Sequence, residues 1–395
     1  MSKKNSKKTV PELRFRGFTD PWEQRQLGDI AERVARRNSN NECTRVLTAS
    51  AESGLVDQQE YFLKRIASPD LTNYYLLRRG DFAYNHSSSA NAPFGIVRRL
   101  DTYDSGCLSS LYIVFRPFSD VDSDFLLQYF ESSAWHNDVS GMVTEGARNH
   151  GLLNISSDAF FTTHCTSPHI PEQRLIGEFF STLDSLIAAA ERQEALLRQK
   201  KQAYLQLIFP REGETEPRLR FAGFSGEWET QRFGEIFQYE RPDAYLADDD
   251  EIEDEGAIPV LTANKAFILG YTNSLQGIYR KGRCIIFDDF TLDSKRVDQP
   301  FKVRSSAIKI LTVRENEDFD FAFELLRTSK FPLLGHARHY IAVVQPQATL
   351  IPHSLQEQQH IGRFFRNFDS LIACAEKRVA SLRTLKSAYL QRMFV

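Results

Sequence analysis

Two stretches of the chain carry apolar residues at steps of four and three. In the first, Ile176, Phe180, Leu183, Ile187, Ala190, Leu197, Tyr204 and Ile208 fall in line. In the second, Ile361, Phe365, Phe368, Ile372, Ala375, Val379, Leu382, Tyr389 and Met393 do the same. This spacing is a heptad seam, the pattern of long helices that pair through a narrow apolar stripe. Glu194, Lys201 and Lys386 occupy the remaining seam positions, where polar residues set register and orientation at some cost in stability. Both stretches follow Pro-containing segments (PHIPEQ and IPHSLQEQ) and are acidic early, as a helix N-terminus favours. Each predicts a rod of about 37 residues, or about 55 Å at 1.5 Å per residue. A rod of this kind needs an apolar partner. A second chain would serve, but the other rod of the same chain is already at hand. Antiparallel packing would hold whatever lies between them at opposite ends. Elsewhere the pattern alternates with period two, as in CLSSLYIVFRP (107–117), and an amphipathic helix is expected near 124–139. Strands and helices mixed with Gly and Pro punctuation read as α+β.

The rods belong to a larger repetition. PELRFRGFTDPWEQRQLGDI (11–30) returns as PRLRFAGFSGEWETQRFGEI (217–236), with Leu13, Arg14, Phe15, Gly17, Phe18, Trp22, Glu23, Gly28 and Ile30 recurring in register. EQRLIGEFFSTLDSLIAAAE from Glu172 returns as EQQHIGRFFRNFDSLIACAE from Glu357, and KQAYLQLIF (201–209) as KSAYLQRMF (386–394). The chain is therefore two copies of one plan: a leading segment, a variable region and a rod. The variable regions, roughly 31 to 166 and 237 to 352, resemble each other little. A repeated frame with divergent inserts suits two readers of different things.

Composition narrows the picture. With 42% apolar residues in 395, the chain can bury substantial cores and suggests two or three domains. No apolar run approaches a membrane span, and the basic start MSKKNSKKTV lacks the apolar stretch of a secretory signal. Five scattered cysteines without a C-x-x-C pair argue against a disulfide framework or zinc module and suit a reducing cytoplasm. A net charge of -3 predicts no global attraction to nucleic acid, so DNA contact would need locally gathered basic groups or a basic partner.

Such groups occur in both variable regions. The first has Arg78 and Arg79, then the polar run YNHSSSANAPFG with Asn85, His86 and Ser87, and later Arg148 and Asn149 beside glycines. The second has YRKGRCIIFDDFTLDSKR with Arg280, Lys281, Thr291 and Lys295, followed by GHARHY with Arg338 and His339. A Gly/Ala/Arg cluster thus recurs at Arg148 and Arg338. Arg and Asn read guanine and adenine edges in bidentate fashion, whereas Lys, Ser and Thr commonly bind phosphate. The acidic stretch Asp243 to Glu255 would repel phosphate and is expected to be a solvated loop.

Catalytic motifs are not evident. There is no G-x-x-x-x-G-K-[ST] loop. FAGFSG (221–226) and NAPF (91–94) are only superficially like a methyltransferase cofactor loop and adenine-binding tetrapeptide. Asp288 or Asp289 with Asp293 and Lys295 are too closely spaced for a nuclease set, and His164, Cys165 and His169 lack further metal ligands. The chain reads as a binder, with no catalytic or metal site.

The paired LRFRGF/LRFAGF segments, the two E-Q-x2-I-G-x-F-F rod starts and the A-Y-L-Q-x2-F endings together resemble type I restriction–modification specificity (S) subunits, over almost the whole chain. The resemblance implies an α+β fold. Two α/β target recognition domains would be separated by two long antiparallel coiled-coil-like helices in a pseudo-two-fold duplication. The expected divisions are an N-terminal arm and leading segment (1–21), target recognition domain 1 (22–170), a first spacer helix (171–209), domain 2 (210–353) and a second spacer helix (354–395). Each domain would read one half of a bipartite, asymmetric site on double-stranded DNA. The helices would set the gap and dock two methyltransferase (M) subunits, with motor–nuclease (R) subunits joining the complex. S-adenosylmethionine, ATP and Mg are then expected in the partners and no cofactor here, in a bacterial cytoplasm. By analogy, Arg78, Arg79, Asn85, His86, Ser87, Arg148 and Asn149 go to one half-site, and Arg280, Lys281, Thr291, Lys295, Arg338 and His339 to the other. The alternative is a duplicated scaffold that binds proteins without DNA specificity. A neighbouring adenine methyltransferase gene would favour DNA.

Overall fold

The computed structural model describes residues 10–51, 53–64, 67–142, 153–262, 267–332 and 339–395. The chain forms two compact units, Met1–Ala190 with Arg378–Val395, and Glu191–Lys377. Each contains one variable region and parts of both rods.

In the first unit the strands are β1 (Glu23–Gln26), β2 (Ala31–Arg33), β3 (Phe82–Asn85), β4 (Ile96–Arg99) and β5 (Ile113–Pro117). Helix α1 (Ser123–Glu131), strand β6 (His164–Ser167) and the long helix α2 (Ile170–Ile208) follow. β1 and β6 pair antiparallel, Glu23 opposite Ser167, so the variable region leaves and returns through a two-strand clasp. Inside it, four strands run in the order β2-β5-β3-β4. The pairs Leu47–Ser50 with Gly54–Asp57, and Tyr75–Arg78 with Ser105–Leu108, stand apart from that sheet.

The second unit repeats the scheme with β7 (Glu229–Arg232), β8 (Phe237–Glu240), β9 (Cys284–Asp288), β10 (Ser294–Val297), β11 (Ile308–Val313), α3 (Phe319–Thr328), β12 (Ala348–Ile351) and α4 (Leu355–Met393). β7 and β12 form the clasp, and the sheet order is β8-β11-β9-β10. Divergent sequences thus carry the same sheet. What differs is the addition, here a three-stranded sheet of Ile268–Thr272, Ile258–Leu261 and Lys302–Val303.

The expected α+β fold with long antiparallel helices is what forms. α2 and α4 are each 39 residues long. In the first unit Phe179 meets Tyr389 edge-on with centroids 5.0 Å apart, and Asp184 pairs with Lys386. In the second, Tyr204 meets Phe364 at 5.2 Å and Lys201 pairs with Asp369. Numbers rise along one helix as they fall along the other.

The ends of the seam do more than pair helices. Ile176 and Phe180 join Trp22, Phe82, Tyr84, Phe115, Phe125, Phe130, Met393 and Phe394 in one buried core. Ile361 and Phe365 likewise join Leu205, Ile208, Phe209, Trp228, Phe287, Leu311 and Phe321. Leu183, Ile187 and Ile372 are buried, whereas Leu197, Phe368, Leu382 and Tyr389 are half-buried.

Two local expectations are corrected. The segment 107–117 is not one strand: Ser105–Leu108 and β5 lie in different sheets, separated by a turn in which Tyr112 N donates to Ser109 O. The helix near 124–139 breaks into α1 and His136–Met142, where the Ser132 hydroxyl takes the Tyr129 carbonyl at 2.6 Å and competes with the helical ladder.

The rod glycines explain one repeated motif. A Cβ on Gly177 would lie 2.9 Å from Asp124 Cβ and 3.0 Å from Phe125 N, and one on Gly362 would lie 2.7 Å from Phe321 N. The start of α1 or α3 therefore packs directly on the rod backbone, a fit only glycine allows. Gly177→Ala and Gly362→Ala should each destabilise the protein by about 1–3 kcal/mol, the usual cost of overpacking, seen as a lower denaturant midpoint.

Candidate nucleic-acid interface

The leading segments are fastened by the same ion pair in both units. Arg14 reaches Glu172 in bidentate fashion, Nε to Oε1 at 2.7 Å and Nη2 to Oε2 at 2.8 Å, and Glu172 is only 1% exposed. Arg220 grips Glu357 the same way, at 2.8 Å twice. The hydrogen bond to Glu172 raises the Arg14 pKa further, against the opposing effect of burial. The glutamine beside each glutamate works equally hard. Gln173 Oε1 accepts from Asp122 N and Gln358 Oε1 from Asp318 N, both at 2.9 Å. Asp122 and Asp318 in turn cap α1 and α3 through Phe125 N and Phe321 N, which satisfies otherwise orphaned donors. The E-Q pair of the repeated motif thus ties segment, domain helix and rod together.

On this frame the first unit presents a basic cluster. The buried Asp81 collects Arg36 and Arg116, the latter at 2.6 Å, and accepts from Arg78 N at 2.8 Å. Arg78 and Arg79 occupy exposed positions in the turn that Asp81 closes. Arg79 also bonds Asp104 at 3.0 Å and the Asp101 carbonyl. Arg37 and Arg45 lie over the rings of Tyr75 and Tyr103, at 3.9 and 4.1 Å. Sequence reasoning passed over Arg36, Arg37, Arg45 and Arg116; the basic run RVARRN was the available signal. Asn85 is half-buried at the end of β3 and accepts from Ser87 N at 3.1 Å, leaving Ser87 exposed. The ring nitrogens of His86 lie 2.7 Å from the carbonyl oxygens of Leu153 and Leu111. Arg148 and Asn149 fall outside the described residues.

The second unit presents a cleft of about 560 Å³ lined by Arg241, Asp289, Phe290, Ser305, Ser306, Lys309 and Ile341, among others. One wall is a tightly held turn. Asp288 accepts from Phe290 N at 2.9 Å and from the Thr291 hydroxyl at 2.7 Å, and Leu292 adopts left-handed backbone at φ 61. A non-glycine residue there carries strain, which persists only when the surroundings over-determine it. Phe290 is left 58% exposed. Lys281 pairs with Glu240 at 2.7 Å, and Lys295 lies near Asp293 at 3.7 Å and 4.8 Å from the centre of the Phe267 ring. Arg280 is exposed. His339 is fully buried with Nδ1 2.6 Å from the Asp289 carbonyl oxygen, so in this position it supports the turn from beneath. Arg338 falls outside the described residues.

The acidic stretch is more structured than a solvated loop. Tyr245 and Ala247 are buried, and Glu251 and Asp249 pair with Lys302 and Arg304. Two ordinary packing roles also emerge. Asp289 holds Lys309 at 3.3 Å and Tyr340 N at 2.8 Å, and His164 Nδ1 lies 2.8 Å from Asp138 Oδ2. Among the described residues no group of three or more His, Cys, Asp or Glu is placed to hold a metal, and no helix is long and apolar enough to cross a membrane.

Among known proteins similar to this chain are subunits of type I restriction–modification systems. The chain is 38% identical over 179 residues to the specificity subunit of the type I restriction enzyme EcoR124I/EcoR124II of Escherichia coli, a match covering 42% of this chain and 43% of that protein. The chain thus spans less than half the length of this curated relative. A crystal structure of a type I restriction–modification S subunit from M. genitalium superposes with a TM-score of 0.65 at 14% identity, over 98% of this chain and 99% of that one. A chain from a structure concerned with complex assembly and conformational transition of the type I restriction–modification system gives 0.51 at 15% identity, over 95% and 99%. No protein-family model matches. The resemblance carried by the doubled motifs is therefore confirmed in sequence over part of the chain, and the fold is that of type I S subunits along nearly all of it.

Removing one side of the Arg–Glu clamp leaves a buried carboxylate without its partner. Arg14→Ala and Arg220→Ala should each cost about 3 kcal/mol. Chemical denaturation checks this; a change below about 1 kcal/mol would assign the pair the weight of a surface ion pair.

Proposed function

We propose that this chain is the DNA-reading subunit of a type I restriction–modification complex. The observation that carries the reading is the contrast between the two units. Their clasp, sheet order and Arg–Glu clamp are the same, while the surfaces mounted on them differ: arginines gathered around Asp81 in one, a cleft beside Phe290 in the other. One frame with two faces suits a bipartite, asymmetric site on double-stranded DNA. The similarity in sequence and fold to S subunits supports it.

On this reading the chain has no catalytic centre and works in the bacterial cytoplasm. Its repeated frame offers equivalent docking places to two methyltransferase subunits, and motor–nuclease subunits join through them. S-adenosylmethionine, ATP and Mg belong to those partners. The helices α2 and α4 set the gap; rods of this length exceed the roughly 34–36 Å of one DNA turn. The divisions 1–21, 22–170, 171–209, 210–353 and 354–395 are the working units. Arg78, Arg79, Asn85, Ser87, Arg148 and Asn149 face the first half-site, with His86 bracing the turn between Asn85 and Ser87 through Leu111 and Leu153. Arg280, Lys281, Thr291, Lys295 and Arg338 face the second, with His339 under the Phe290 turn. The net charge of -3 leaves non-specific attraction weak, so tight binding comes with the methyltransferase partner.

Co-expression with that partner and mapping of methylated adenines across the host genome should yield a split motif with one fixed gap. A stable complex without new methylation would overturn the proposal. Within that complex, Arg148→Ala or Arg338→Ala should weaken binding by about 1–3 kcal/mol and relax base preference in one half-site only. Competition with duplexes mutated in either half measures the change.

A further inference from the structure

The seam lysines sit in a network that each unit builds separately. In the second unit Lys201, 6% exposed, places Nζ 2.7 Å from Glu324 on α3 and 2.7 Å from Asp369 on α4. Arg296, on the edge strand β10, reaches the other oxygen of Asp369 at 3.2 Å. In the first unit Lys386 lies 2.6 Å from Asp184 on α2 and 3.6 Å from Glu131 on α1. Gln128, also on α1, donates to Asp184 at 3.0 Å, and Arg98 on the edge strand β4 pairs with Glu131 at 3.0 Å. The parts correspond: a rod lysine, the aspartate of the opposite rod's D-S-L-I sequence, a carboxylate on the domain helix, and an arginine on the outer sheet strand.

Stability alone does not account for this chemistry. Burying charges costs desolvation that their attraction barely repays, and apolar side chains of similar size usually stabilise as well or better. A polar seam residue does penalise wrong alignments. Here one ammonium bonds two elements besides its own. If a rod slips, or the domain helix tilts on the rods, it loses one carboxylate. Lys201 is then left buried with its charge under-compensated, and the half-buried Lys386 gives up one of its two partners. We infer that Lys201 and Lys386 are positioning residues that lock each reading domain to its helix pair, and so make the gap between half-sites single-valued. The inference rests on the DNA-reading function above.

The test uses the whole complex with its methyltransferase partner. Lys201→Met and Lys386→Met are made singly. A charge-free variant, Lys201→Met with Glu324→Gln and Asp369→Asn, leaves no member of the trio charged and guards against misfolding. Genomic methylation should keep the same bases in both half-sites, while methylation at sites with the gap altered by one base pair rises about tenfold over wild type, equivalent to about 1.4 kcal/mol of lost discrimination. Retention of the wild-type gap at the wild-type rate would overturn the inference. So would complete loss of methylation by a charge-free complex that still assembles, which would mark a folding or docking role instead. Failure of the wild-type complex to give any split motif would show that the DNA-reading proposal itself had failed.

Discussion

Everything else in each unit hangs on a guanidinium held flat against a nearly buried carboxylate. A bidentate Arg–carboxylate pair fixes direction as well as distance, and Arg14–Glu172 and Arg220–Glu357 use it to pin a leading segment to the first turn of a long helix. That placement brings Trp22 and Trp228 over their cores, edge-on to Phe125 and Phe321. It also aligns β1 and β7 to close on β6 and β12. Neither pair is exposed enough to be screened by salt as a surface contact would be. The frame is fastened by charge at this corner, and the two cores beside it are apolar.

With the frame settled, the inserts are free to differ on their outer faces. Both place a four-stranded sheet in the same order and an amphipathic helix at the same point. The central strands are buried on both faces, with Phe82 and Phe115 in one core and Ala83 and Val114 in another, and with Phe287 and Leu311 in one core and Ile286 and Ile310 in another. Apolar runs of very different sequence can supply this. The added pieces, two strand pairs in one unit and a three-stranded sheet in the other, change the surface and leave the frame intact. This is how two unrelated faces can be presented by one architecture.

The sequence disclosed periodicity and repetition well, because both are local or self-comparing signals. The rods, their polar seam lysines and the doubled motifs could all be read from residue spacing. The clasp could not: Gln26 and His164 pair across most of a domain, and nothing in the intervening residues announces it. The roles of Glu172, Gln173 and Gly177 were equally hidden, since their partners Arg14, Asp122 and Phe125 are distant in the chain. At the candidate interface, exposed arginines were visible as residue types. Asp81, which organises them, looked like any acidic residue, and His339 looked like a surface reader although it lies fully buried. Burial is a property of the fold that a polar side chain does not advertise.

The route of the chain through the two units has a consequence for synthesis. The second unit is one continuous stretch, Glu191–Lys377, whereas the first takes its last rod turns and Phe394 from Arg378–Val395. At roughly 5–20 residues per second on the ribosome, the earlier-made half waits for Met393 and Phe394, which complete the core around Trp22 and Phe125. The later-made half can close its core first. The unit whose first residues are made earliest is therefore the one whose core is completed last.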